Sequence, residues 1–200
     1  MMFCRAMVWI LLGGLLLATG GCVDSASQPS QDGHYRTITT QPLRDTDAAK
    51  TYNQAGRKYL AAGELDKAAA EFTRALTADV EFGPAHNNLG KVYYLKKEWY
   101  KAAWEFDHAC RLLPKHAEPR NNMAMVFEEA GELERALDFY RQAVALDRDN
   151  YQYRANLVRA LTRRGDRTTE VRNLLRQVVN DDPRPEWREW ARRQQEQMGS

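Results

Sequence analysis

Residues 87–114 read NNLGKVYYLKKEWYKAAWEFDHACRLLP, and the pattern recurs on either side at a spacing of 34. In the place of Leu89–Gly90 stand Ala55–Gly56 before it, then Met123–Ala124 and Leu157–Val158 after it. Tyr93 corresponds to Tyr59, Phe127 and Leu161. Ala102 corresponds to Ala68 and Ala136, Phe106 to Phe72, Tyr140 and Leu174, and Ala109 to Ala75 and Ala143. Four units follow: 49–82, 83–116, 117–150 and 151–184. A fixed period of this length is the signature of a stack of small, identical supersecondary units.

The spacing of the apolar residues within a unit predicts two antiparallel helices. Small residues at the eighth, twentieth and twenty-seventh places let the backbones approach, and large ones at the eleventh and twenty-fourth fill the gap between helices. Gly63, Gly131 and Gly165 stand where the first helix must end, in a left-handed conformation that glycine adopts without strain. Lys97 takes that place in the second unit, so it is either strained or its turn is built differently. Pro84 and Pro114 mark breaks between helices. The fourth unit is degenerate: Glu170 and Gln177 replace the small residues, so its second helix is expected to pack more loosely or differently. One hairpin cannot bury its own apolar face, so the units must stack and their ends need caps. Over residues 185–200, Trp187, Trp190, Ala191 and Met198 recur at helical intervals. Two readings stay open for the tryptophans: a cap over the fourth unit, or a docking surface for a partner or second copy.

The second unit, with Asn88–Leu89–Gly90–Lys91–Val92–Tyr93 followed by Ala102, Phe106, Ala109 and Pro114, resembles the tetratricopeptide repeat family. The resemblance implies an all-α fold: a right-handed superhelical solenoid of tetratricopeptide-type hairpins over 48–184, closed by a C-terminal capping helix. First helices then line a concave wall, and their sixth places carry Gln54, Asn88, Asn122 and Asn156, preceded by Asn53, Asn87 and Asn121. This is similar to the asparagine ladder with which some members of the family grip an extended peptide, since an amide both donates to and accepts from a peptide unit. The alternative is that these amides bond within the fold. At the ninth place Arg57, Lys91 and Arg159 offer cations suited to an acidic segment or free carboxylate, interrupted in the third unit by Met125, Glu118, Glu128 and Glu129. Tyr94 is either a contact on this wall or core.

Residues 1–21 read as an export signal: Arg5, an apolar run over 6–18, then Thr19–Gly20–Gly21–Cys22. The run falls short of the ~20 apolar residues that span a bilayer. Ala18–Thr19–Gly20–Gly21 before Cys22 resembles the lipobox of bacterial lipoproteins, with Thr19 where leucine is usual. That resemblance implies lipidation at Cys22 and a lipid anchor in a bacterial envelope; the other readings of the segment are an uncleaved anchor, or cleavage near Ala18 to a soluble product. Residues 22–47 lack hydrophobic periodicity and read as a flexible tether, unless Tyr35 and Ile38 dock on the first repeat. With Cys4 and Cys22 assigned to the leader, Cys110 has no partner for a disulfide.

A net charge of +2 over 200 residues argues against nucleic acid as a partner. His34, His86, His108 and His116 form no constellation with Cys110. His86 and His116 are expected at exposed first-helix starts. No metal, cofactor or catalytic group is expected. The sequence therefore points to a membrane-tethered scaffold that holds an extended peptide or protein partner, with assembly of an envelope complex as its expected setting. The alternatives are a self-associating module, as a homodimer, or an accessory subunit of an enzyme complex.

Overall fold

The computed structural model describes residues 44–199. The expected export signal, the lipidation at Cys22, the docking of Tyr35 and Ile38, and the tether as far as residue 43 lie outside the described residues. The described chain is all helix: α1 (Thr46–Ala61), α2 (Leu65–Ala78), α3 (Gly83–Leu95), α4 (Trp99–Leu112), α5 (Ala117–Glu129), α6 (Leu133–Leu146), α7 (Tyr151–Arg164), α8 (Thr169–Asp181) and α9 (Pro185–Gly199). Helix α1 starts inside the stretch read as tether, because the Asp45 side chain caps it by accepting from the Ala48 N–H at 2.9 Å.

Each helix packs on the next in sequence, and α3 also touches α1 and α5. Odd-numbered helices thus form one layer and even-numbered helices the other, as stacked hairpins require. The core runs between the layers. Phe72, Phe106 and Tyr140 are buried beside the alanines at the twentieth and twenty-seventh places. The small eighth place is needed for this. A Cβ on Gly56 or Gly90 would stand 2.6 Å from the Cε1 of Phe72 or Phe106.

The turns repeat one geometry. Gly63, Gly131 and Gly165 have φ of 77°, 79° and 93°, and Lys97 has φ of 61°. The second unit therefore builds the same turn with a lysine, at the steric cost of a Cβ in the left-handed region, roughly 1 kcal/mol. Lys97→Gly is expected to raise stability by about 0.5–1 kcal/mol, because the strain relieved outweighs the extra freedom of the unfolded chain. Urea unfolding of the two proteins checks it; a lower midpoint for the glycine variant would show that the lysine is not strained.

The fourth unit is not loose. Units one to three bury the triplets Ala68–Phe72–Ala75, Ala102–Phe106–Ala109 and Ala136–Tyr140–Ala143. Helix α8 buries Val171, Leu175 and Val178 with the same intervals, displaced by one residue. The slip arises in the turn. Glu64, Glu98 and Glu132 cap the second helices directly after the left-handed residue, whereas Thr168 caps α8 three residues after Gly165. Glu170 and Gln177 are exposed because they no longer occupy the core places.

Helix α9 closes the stack. Ala191 is fully buried, and Trp187 and Trp190 are half-buried against the core of the last units. Their rings meet edge to face at 5.5 Å. Arg159 and Arg184 lie over the Trp187 ring at 5.8 and 4.8 Å, so this pair is engaged as a cap would be.

Candidate functional site

The first helices carry their asparagines on the side where neighbouring units meet. Asn88 Nδ2 donates to Asn53 Oδ1 at 2.9 Å, Asn122 to Asn87 at 3.0 Å, and Asn156 to Asn121 at 2.9 Å. The rule is the same at each step: the sixth place of one unit donates to the fifth place of the unit before it. All six residues are buried. Gln54, in the sixth place of the first unit, has no preceding unit and is exposed. At the other end, counting the inserted residue, Ala191 takes the donor's place and Ala155 the acceptor's. Both are fully buried. Donor and acceptor are lost together, so no amide is orphaned.

This pairing gives a prediction with a sign. Asn122→Ala leaves the Asn87 carbonyl without its donor and is expected to cost about 1–3 kcal/mol; adding Asn87→Ala should recover much of that, since removing both partners can be nearly neutral. A double-mutant cycle by urea unfolding measures the coupling. Additive effects would mean that the bond contributes nothing.

The ladder leaves part of its chemistry unused. Asn53 and Asn87 accept through Oδ1, while their Nδ2 groups have no partner among the described residues. Both residues line a cavity of about 290 Å³ with Arg57, Asn88, Lys91 and His116. Arg57 is exposed and makes no ion pair or hydrogen bond among the described residues. A second chamber of about 310 Å³ shares Lys91 and is mainly apolar, walled by Leu60, Tyr94, Leu95 and Met125. Tyr94 is half-buried there, tilted 5.2 Å from Trp99, with its hydroxyl 3.4 Å from Glu129. Burial and that carboxylate raise its pKa.

The ninth-place cations do not form one basic face. Lys91 pairs with Glu118. Arg159 donates to Glu128 at 2.9 Å, and Arg163 reaches the same carboxylate at 3.4 Å. Glu128 is itself buried and also accepts from the Tyr140 hydroxyl at 2.8 Å. Of the three predicted cations, Arg57 alone is unengaged among the described residues.

His86 differs from its sequence reading. It is 3 % exposed, not a surface residue. Its Nδ1 lies 2.7 Å from Glu105 Oε2 and its Nε2 2.9 Å from the Val80 carbonyl. The histidine thus ties the α2–α3 loop to α4. His116 is exposed, as expected. Burial pushes the Cys110 thiol up to about 11, which keeps it a protonated thiol at neutral pH.

A family model described as tetratricopeptide repeat matches residues 127–190, from the end of α5 to the middle of α9. Over that stretch the chain is similar to tetratricopeptide repeats. Solved tetratricopeptide structures resemble it along most of its described length. The first tetratricopeptide domain of Spaghetti (RPAP3), bound to the HSP90 peptide SRMEEVD, aligns with a TM-score of 0.59 at 19% identity, covering 62% of this chain and 98% of that one. MamA aligns at 0.57 and 16% identity over 78% and 82% of the two chains. The tetratricopeptide domain of Arabidopsis OM64 aligns at 0.57 and 14% identity over 59% and 98%. At these identities the likeness is one of fold. No curated protein matches the sequence.

Proposed function

We propose that the inner wall of this repeat stack holds an extended segment of a partner protein, one that carries an acidic group. The observation that carries this reading is the convergence of three free donors on one cavity. The Asn53 and Asn87 amides can donate to guest carbonyls, and Arg57 can pair with a carboxylate. The ladder fixes the two asparagines in advance, so little side-chain freedom is lost when a guest arrives. The adjoining chamber of Leu60, Tyr94, Leu95 and Met125 accommodates an apolar side chain of the same guest. The resemblance to a domain whose bound peptide, SRMEEVD, joins methionine and valine to three acidic residues supports that choice of chemistry.

The scaffold is proposed to work at a membrane of a bacterial envelope, held by lipid on Cys22 and helping to assemble a complex there. The leader sequence supports this. Among the described residues no helix is long and apolar enough to cross a membrane.

Binding of the full chain to arrayed extended peptides of acidic, neutral and basic composition tests the reading. Acidic peptides should be retained and basic ones not, and Arg57→Glu should abolish the preference. Equal retention of all three classes would refute it.

A further inference from the structure

One surface of the stack departs from the repeat. The eighteenth place is Asp66, Glu134 and, with the inserted residue counted, Thr169; the twenty-second is Ala70, Asp138 and Asn173. The second unit has Tyr100 and Trp104 there, on the outer face of α4, 85% and 52% exposed. Nothing in the packing of a hairpin asks for aromatics at these places, since three units do without them. Exposed aromatic rings that break a polar register mark a surface made for contact.

The rings have a definite setting. Trp104 lies tilted against His108 at 3.9 Å and meets the edge of His86 at 6.4 Å. The indole N–H and the Tyr100 hydroxyl make no hydrogen bond within the described residues. Their polar tips are therefore free, and their apolar bodies stand out from the helix, the form suited to a boundary between water and hydrocarbon. Val80, 53% exposed, extends the patch towards the α2–α3 loop. Its neighbour Glu81 pairs with Arg44, the first described residue. Arg44, with which the described residues begin, is thus tied to the α2–α3 loop.

The charges of this face also matter. Glu81, Glu98, Asp107 and Glu132 pair with Arg44, Lys101, Arg111 and Arg135 respectively. These four carboxylates are each paired, whereas Asp138, at the place of Trp104 in the third unit, is exposed and without an ion pair among the described residues. Lys97, in the turn before α4, is a cation without an ion pair among the described residues.

We infer that the Tyr100–Trp104 face of α4 rests on the surface of an anionic bilayer, orienting the peptide-binding wall relative to it. This inference rests on the reading that the leading segment is anchored in that bilayer. An anchor within reach holds the domain at high effective concentration, so a small interfacial patch is enough to set its orientation.

The test uses the full chain in a Trp9→Phe background, reconstituted into vesicles of phosphatidylglycerol and phosphatidylcholine with brominated acyl chains. The chain should float with the vesicles, and bromine should quench its tryptophan emission. Trp104→Phe should remove most of that quenching. Replacing Tyr100 by Asp and Trp104 by Ala copies the first unit, so it should keep the helical signal while losing the quenching. Flotation with quenching that does not depend on Trp104 would overturn the inference and leave the anchor standing. Absence of flotation would overturn both. Photo-crosslinking from position 100 to a second copy, with Trp104 unquenched, would assign the face to a dimer instead.

Discussion

Replacing Phe106 by alanine is expected to destabilise the protein by about 3–5 kcal/mol, the range for removing a fully enclosed aromatic ring. The ring is 1% exposed and has no room to be replaced by a neighbour. Its edge lies where a Cβ on Gly90 would be, and the helix backbone that carries Gly90 is held by the units on both sides. The cavity left behind cannot collapse without pulling α3 and α4 together, which the hairpin turn resists. Phe106 also reaches the floor of the apolar chamber on the inner wall. Its loss should therefore weaken guest binding as well as folding. Urea unfolding provides the measurement, with Tyr100→Ala as control. That residue is almost fully exposed, and its removal should change stability by less than about 0.5 kcal/mol. Equal effects would contradict the placement of the core.

Glu128→Ala has the second largest expected effect, about 3 kcal/mol or more, at the scale seen when one member of a buried charged network is removed. The buried carboxylate accepts from one hydroxyl and two guanidinium groups. Without it the fully buried Tyr140 hydroxyl has no acceptor, and two cations from α7 face each other without a counter-charge. Because Arg159 and Arg163 remain partly exposed, water offsets part of the loss. Tyr140→Phe in the same background separates the terms: the effect of Glu128→Ala should shrink once the hydroxyl is gone. Thermal and urea unfolding of the four proteins give the coupling. Additivity would show that the hydroxyl and carboxylate act independently. The same substitution frees Arg159, so acidic guests should bind the mutant wall no more weakly than the original.

The helices of the first three units were legible because their 34-residue register repeats the large and small residues that pack, and packing between helices depends on those sizes. The fourth unit was expected to pack loosely or differently, and it packs differently for a local reason. An insertion in the turn around Arg167 and Thr168 moves its core triplet to Val171, Leu175 and Val178, and a fixed period cannot follow a slip of one residue. The asparagines at the fifth and sixth places were visible as a row, but their bonding was not. The donor and acceptor belong to different units, and only the spacing between first helices brings them within 3 Å. The row of cations was legible as interrupted by Glu118 and Glu128, but that these neutralise Lys91 and Arg159 was not, because the partners stand far apart in the chain. His86 was misplaced for the same reason: its burial depends on Glu105, on the following helix. A signal for it existed, since Glu105 sits next to Phe106 in a helix whose neighbouring places are core.

The most direct test of the peptide-binding wall follows side-chain amide and guanidinium resonances of isotope-labelled protein as an acidic extended peptide is added. The Asn53 and Asn87 amides and the Arg57 Nε–H should shift together and saturate at one peptide per chain. The Asn156 amide, already bonded to Asn121, should stay in place. Shifts confined to α4 or α9, or a saturating response that spares Arg57, would contradict the account.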